Sequence, residues 1–216
     1  MSSTADIERP NGVSAVASRD LKRERPLSAL FVALVLAIFL VTYLVTSLVP
    51  AVVVGAVLVV AARAPVLRSH GSVRLHTGDD PAAVADAFTG PTPPVLGLQW
   101  GMADEIRTDE GTVTYHVSFL FGLRSQELTV HSETDTTPSG DRQIELTVTS
   151  DDSPWATYTV TLSPDDGGTR VDVAYTSNRK FGLRRLPQQF VARRFRDDVL
   201  TAQGYTVVER EDRLGR

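Results

Sequence analysis

From Leu27 to Ala62 the chain runs for 36 residues, LSALFVALVLAIFLVTYLVTSLVPAVVVGAVLVVAA, without one charged side chain. A surface that apolar must leave water, so this run constrains everything attached to it. As a single helix it would reach roughly 54 Å at about 1.5 Å per residue, against roughly 30 Å of hydrocarbon core. Thr46 and Ser47 interrupt it midway, and Pro50 stands where a helix's first turn has no N–H bond to lose. The pattern predicts a two-helix transmembrane hairpin over 27–64, with helices at 27–45 and 48–64 and Pro65 as the stop. Arg19, Lys22, Arg23 and Arg25 precede the run and Arg63, Arg68 and Arg74 follow it. By the positive-inside rule both ends then lie in the cytoplasm of a cell membrane crossed twice. Two alternatives stay open: one long tilted span, which places the C-terminal domain outside, and a processed leader ending near Ala62-Arg63-Ala64. The apolar stretch is several times too long for the leader.

The rest divides into a polar tail (1–26), expected to be disordered and cytoplasmic, and about 150 residues after the hairpin, enough for one domain with its own core. A net charge of −4 gives no sign of a nucleic-acid partner, and the absence of cysteine excludes disulfides and thiolate metal sites.

Within that domain, Gly71–Thr77 alternates Val73 and Leu75 with polar residues, as a half-buried strand does. A helix follows, capped by Asp79 or Asp80, with Pro81 in its first turn and Val84, Ala87 and Phe88 on one face. Gly90–Pro94 breaks regular structure. Strands are then expected at 96–107, 112–121, 126–134, 143–149, 155–162 and 169–177, joined by short turns into an antiparallel meander. Their dry face holds Val113, Tyr115, Val117, Phe119, Leu128, Val130, Ile144, Leu146, Val148, Val171, Val173 and Tyr175. Residues 186–202 read as a helix with Phe190, Phe195 and Val199 on one side and Gly204 at its end, the candidate cover for that face. A polar tail is expected at 211–216.

In this order of elements the chain resembles the START-like superfamily of polyketide cyclases, ligand-binding allergens and lipid-transfer domains, whose fold is called helix-grip. The features that carry the resemblance are the Asp79-Asp80-Pro81…Val84…Phe88 helix start, the strand Thr169-Arg-Val-Asp-Val-Ala-Tyr175 and the helix ending Val199-Leu-Thr-Ala-Gln-Gly-Tyr205. It covers 71–209 and implies an α+β domain at 70–210, with an antiparallel sheet of about seven strands wrapped on a long C-terminal helix. Many members carry two short helices after the first strand, whereas Gly90–Pro94 leaves room for little beyond one. The resemblance also implies an apolar pocket between sheet and helix that binds a hydrophobic small molecule or lipid. The residues expected to line it are Trp100, Tyr115, Val117, Phe119, Val130, Leu146, Val173 and Tyr175 from the sheet side, and Phe190 and Phe195 from the helix.

His116 and His131 can lie near one another, but on the wet face, and no metal site is indicated. No nucleophile elbow, phosphate loop or H-E-x-x-H motif occurs, so no cofactor and no catalytic residue is implied and an enzyme is not indicated. The segment 179–196 carries seven basic residues and no acid. Beside a membrane anchor it reads as a surface for anionic headgroups, with Lys180, Phe181, Arg184, Arg185, Arg193 and Arg194 facing the lipid bilayer, the alternatives being a solvated charged face and a surface for a protein partner. The leading functional expectation is a membrane-anchored domain that binds or presents a hydrophobic ligand at the cytoplasmic face. The alternatives are a tethered protein-interaction module with a filled core, whose partner the sequence does not name, and a cyclase-like enzyme.

Overall fold

The computed structural model describes residues 33–64, 68–109, 111–119, 124–180 and 195–215. Two helices come first, α1 over 33–45 and α2 over Leu48–Arg63, and the chain breaks between them at Thr46 and Ser47. Ser47 is extended, with φ −164°, so the helical ladder stops there. The hydroxyls of Thr42 and Thr46 donate to the carbonyls of Ile38 and Thr42, one turn back, which satisfies them without a tertiary partner. A Cβ at Gly55 would lie 3.2 Å from the Phe39 ring, so the two helices meet there.

The break corrects the membrane expectation. Helix α2 has 16 residues. At about 1.5 Å per residue that is roughly 24 Å, short of the roughly 30 Å of a hydrocarbon core. No helix among the described residues is long and apolar enough to cross a membrane. The transmembrane hairpin is therefore not present as expected, and the two-span cell-membrane location with a cytoplasmic domain falls with it. The single tilted span fails for the same reason, because the run does not form one helix.

The remainder is α+β, an antiparallel eight-stranded sheet with few helices, compatible with the helix-grip arrangement. Strand β1 (Arg68–Thr77) leads to α3 (Pro81–Thr89), a 3-10 turn at Pro94–Leu96 and α4 (Gly97–Met102). The meander follows: β2 (Glu105–Asp109), β3 (Thr112–Phe119), β4 (Arg124–Thr136), β5 (Arg142–Ser150), β6 (Ser153–Asp165) and β7 (Gly168–Ser177). Helix α5, described over 195–202, and β8 (Thr206–Gly215) complete the chain. In space the order is β2-β3-β4-β5-β6-β7-β1-β8. Strand β1 thus joins the end of the meander, and β8 is the strand beyond it.

Helix α3 begins as its sequence dictates, with Asp80 as the cap: its carboxylate accepts the Ala82 and Ala83 amides. Val84, Ala85 and Phe88 face inward. The strand expected at 96–107 is half helix: α4 takes Gly97–Met102, with Gly97 and Trp100 buried, and strand begins only at Glu105. Two helices, not one, therefore follow β1.

The alternation of the meander matches its burial: Val113, Tyr115, Val117, Leu128, Val130, Ile144, Leu146, Val148, Val171 and Val173 are buried on one face. Fully buried side chains such as Leu75, Ile144 and Leu146 each contribute about 1.5–3 kcal/mol by burial. Helices α3, α4 and α5 lie over this face through Phe88, Trp100, Val199 and Leu200. Helices α4 and α5 approach so closely that a Cβ at Gly97 would sit 2.2 Å from Cγ1 of Val199.

The sheet has one strand more than expected. Residues 211–215, read as a tail, belong to β8, which pairs with β1 from Arg68↔Gly215 to His76↔Thr206 through a bulge at Arg74/Leu75. Gly71 permits that pairing. A Cβ there would lie 2.2 Å from the Glu211 carbonyl oxygen and 3.0 Å from the Asp212 Cα. Gly71→Ala is expected to cost about 1–3 kcal/mol in urea denaturation, as overpacking does, with β8 amides losing hydrogen-exchange protection first. Unchanged stability and protection would contradict the close approach.

Candidate functional site

The dry face is filled in one half and hollow in the other. Over β3, β4 and β5 the side chains close on one another, and Tyr115, Leu146 and Val130 are buried among them. Beneath α4 and α5, over β1, β6, β7 and β8, a cavity of about 250 Å³ remains. Its apolar walls come from Val73, Val173 and Ala156 on the sheet and from Val95, Leu98, Val199 and Leu200 above. Ser69, Gln99, Tyr158, Tyr175, Arg196 and Arg210 supply the polar part.

That polar part is built by register. Tyr158 on β6 pairs with Tyr175 on β7, and Tyr175 pairs with Gly71 on β1, which pairs with Asp212 on β8. Because Gly71 has no side chain, the Tyr175 hydroxyl reaches across β1 and donates to the Asp212 carboxylate. Ser69 lies 3.4 Å from the same hydroxyl oxygen. The Tyr158 and Tyr175 rings stand 6.2 Å apart, and the Arg196 guanidinium carbon sits 5.9 Å from the centre of the Tyr175 ring, within cation–π range. Arg210 donates from Nη2 to Asp197 at 2.6 Å, tying β8 to α5. Its Nε is buried with no partner among the described residues.

Burial pushes the Tyr158 phenol up, and it pushes Tyr175 up with the Asp212 carboxylate acting in the same direction. Both are therefore neutral donors around neutral pH.

The expected pocket residues separate accordingly. Val173 and Tyr175 line the cavity. Phe195 is buried at the described start of α5, while Val117, Val130 and Leu146 belong to the packed half. Trp100 and Tyr115 spend their polar ends on the loop above them: the indole N–H donates to the Pro93 carbonyl and the phenol to the Pro91 carbonyl, each at 3.0 Å. Neither polar end is left over for a ligand, and burial raises the Tyr115 pKa. The Phe119 side chain and Phe181, Arg184, Arg185, Phe190, Arg193 and Arg194 lie outside what is described; Lys180 is exposed. Ser69, Gln99, Tyr158, Arg196 and Arg210 were not among the expected pocket residues. Only the alternation of β1 and β6 could have pointed to Ser69 and Tyr158.

His116 and His131 sit toward the wet face, each beside a carboxylate. His116 lies 3.5 Å from Glu127, its cross-strand neighbour, and His131 lies 3.4 Å from Glu133. Among the described residues no group of three or more His, Asp or Glu is placed to hold a metal ion. A wider groove of about 370 Å³ on the wet face is lined mostly by hydroxyls and charges. Its Arg74 is already held by Asp172 at 2.8 Å and Glu209 at 2.9 Å. With little apolar wall and charges engaged with each other, it lacks the character of a small-molecule site.

No family model matches the sequence, and no curated protein matches it. Solved structures similar to this chain include Mll3558 from Rhizobium loti, 18% identical over 64% of this chain and 96% of that one, with a TM-score of 0.42. CV1439 from Chromobacterium violaceum is 19% identical over 62% and 96%, with a TM-score of 0.40. Ara h 8.0201 is 12% identical over 62% and 99%, with a TM-score of 0.36. Nothing about ligand or activity follows for this chain from those likenesses.

The tyrosines give the protein an alkaline limit. Burial, with Asp79 adding to it, pushes Tyr205 from 10.0 up to about 12. A folded value above the unfolded one favours the neutral fold, so this contribution is complete below pH 10 and is lost as pH rises toward about 12. Thermal melting across that window is expected to show a steady fall that Tyr205→Phe makes shallower. A variant with the wild-type slope would contradict the assignment.

Proposed function

We propose that this domain binds one small, largely apolar molecule with a polar end, held between the sheet and helices α4 and α5. One observation carries the reading: the cavity joins apolar walls to a polar cluster gathered at Tyr158 and Tyr175. Ligand sites combine these two features, the apolar surface supplying affinity and a few fixed polar groups supplying orientation. A module whose interior is merely packed has no use for a hollow beneath its covering helices, since each void forfeits contacts.

Volume bounds the ligand. An apolar cavity of about 150 Å³ accepts benzene, so 250 Å³ holds roughly ten non-hydrogen atoms on that scale. A single aromatic ring with a short polar substituent fits. An enzymatic role would need an acid or base that touches the ligand. The Tyr175–Asp212 pair is the nearest such group, but its proton is already committed between its own two members.

The test uses 2-phenylethanol as a neutral probe and the full chain. Saturation-transfer NMR is expected to detect its binding, and Ala156→Phe, which grows a ring into the cavity, is expected to weaken it about tenfold or more. Absence of binding to the wild type, or equal binding to the variant, would overturn the reading.

A further inference from the structure

We infer that the polar end of the ligand is a neutral carboxamide and that Gln99 recognises it. The inference deepens the proposed binding function and rests on it. Arg196 and Arg210 line the cavity, and two acids stand behind that wall: Asp197 accepts from Nη2 of Arg210, and Asp212 accepts the Tyr175 hydroxyl. Two arginines meet two aspartates, so the cluster is balanced and calls for no counter-ion. An ionised ligand would shed its hydration beneath the helices with no net charge to meet it, which is costly. The ligand is therefore uncharged.

The unused hydrogen-bonding capacity then sets the group. Gln99, on α4 above the cavity, has its Oε1 buried with no partner among the described residues. Arg210, on β8 below, has its Nε in the same condition, with 14% of the side chain exposed. The first is an acceptor and the second a donor, and the Tyr158 hydroxyl on the same lining can act as either. A ligand that completes this wall must both give a proton and take one. A carboxylate only accepts and leaves Gln99 Oε1 unanswered, while an ammonium only donates and leaves the Arg210 Nε–H. A hydroxyl has to serve both from one atom. A primary carboxamide carries N–H₂ and C=O on separate atoms, so it faces helix and sheet at once. It also pairs with the Gln99 amide whichever way that amide is turned, N–H to C=O and C=O to H–N. With about 250 Å³ to fill, the ligand class is a small aromatic or branched primary amide.

The test is calorimetric titration of the full chain at neutral pH with phenylacetamide, phenylacetate and 2-phenylethanol, which share one shape. Phenylacetamide is expected to bind about tenfold tighter than phenylacetate and about fivefold tighter than 2-phenylethanol, the scale of one buried hydrogen bond. Gln99→Met keeps the length of the side chain and removes its polar end. It is expected to bring phenylacetamide within about twofold of 2-phenylethanol, too small a difference to reflect a specific contact. Phenylacetate binding as tightly as the amide, or the amide binding no tighter than the alcohol, would overturn the carboxamide assignment and leave the cavity standing. Those wild-type comparisons need no variant to fold. An amide preference undiminished in Gln99→Met would overturn the role of Gln99. Failure of every probe to bind would overturn the binding function as well.

Discussion

A sheet with one dry face cannot stand alone in water, and that constraint organises the protein. The face formed by β1 and β3–β7 is covered by three helices, and the quality of the cover differs from end to end. Helix α4 with Trp100 lies against β3 and helix α3 with Phe88 against β5–β7, and the loop at 91–93 takes up the polar ends of Trp100 and Tyr115. Over the cavity the cover is α4 and the described end of α5. These elements lie close together at Gly97 and Val199 yet leave the space beneath them unfilled. The hollow is thus a consequence of where the bulky residues fall: Trp155, Tyr158 and Tyr175 line it without filling it.

The polar end of the hollow depends on a single missing side chain. Gly71 sits between Tyr175 and Asp212 in one row across three strands. Any larger residue would both collide with β8 and stand in the path of the Tyr175–Asp212 hydrogen bond. The strand that this glycine admits also brings Arg210 to the cavity, and Arg210 in turn fixes Asp197 on α5. Sheet edge, covering helix and cavity are therefore linked through charged groups.

Much of the sheet was legible from alternation alone, because β3–β7 set apolar residues at every second position and end at clear turns. The hairpin at Asp151-Asp152 is an example, with both aspartates at positive φ in a two-residue loop. Strand β8 was not legible, since Val207 is followed inward by Arg210 and Asp212, and the charges and the bulge hide the period of two. Helix α4 was missed because six residues, with Trp100 the one large buried side chain, give too little period to separate from a strand. The cavity escaped for a related reason. Val173 and Tyr175 could be read as inward-facing, but Arg196 and Arg210 look like surface residues until β8 is placed. The uncharged run of 27–62 misled in the opposite direction: its composition suggested membrane spans, and with the break at Thr46–Ser47 no helix among the described residues is long and apolar enough to cross.

The central claim is that binding occurs in one half of the covered face and not in the other. Amide chemical-shift mapping of the full chain under saturating 2-phenylethanol tests it most directly. The account predicts shifts concentrated at Ser69, Ala156, Tyr158, Tyr175, Leu200 and Arg210, with Tyr115, Val130 and Leu146 undisturbed. Shifts centred on those last three residues, or spread over the wet face around Arg74, would contradict it.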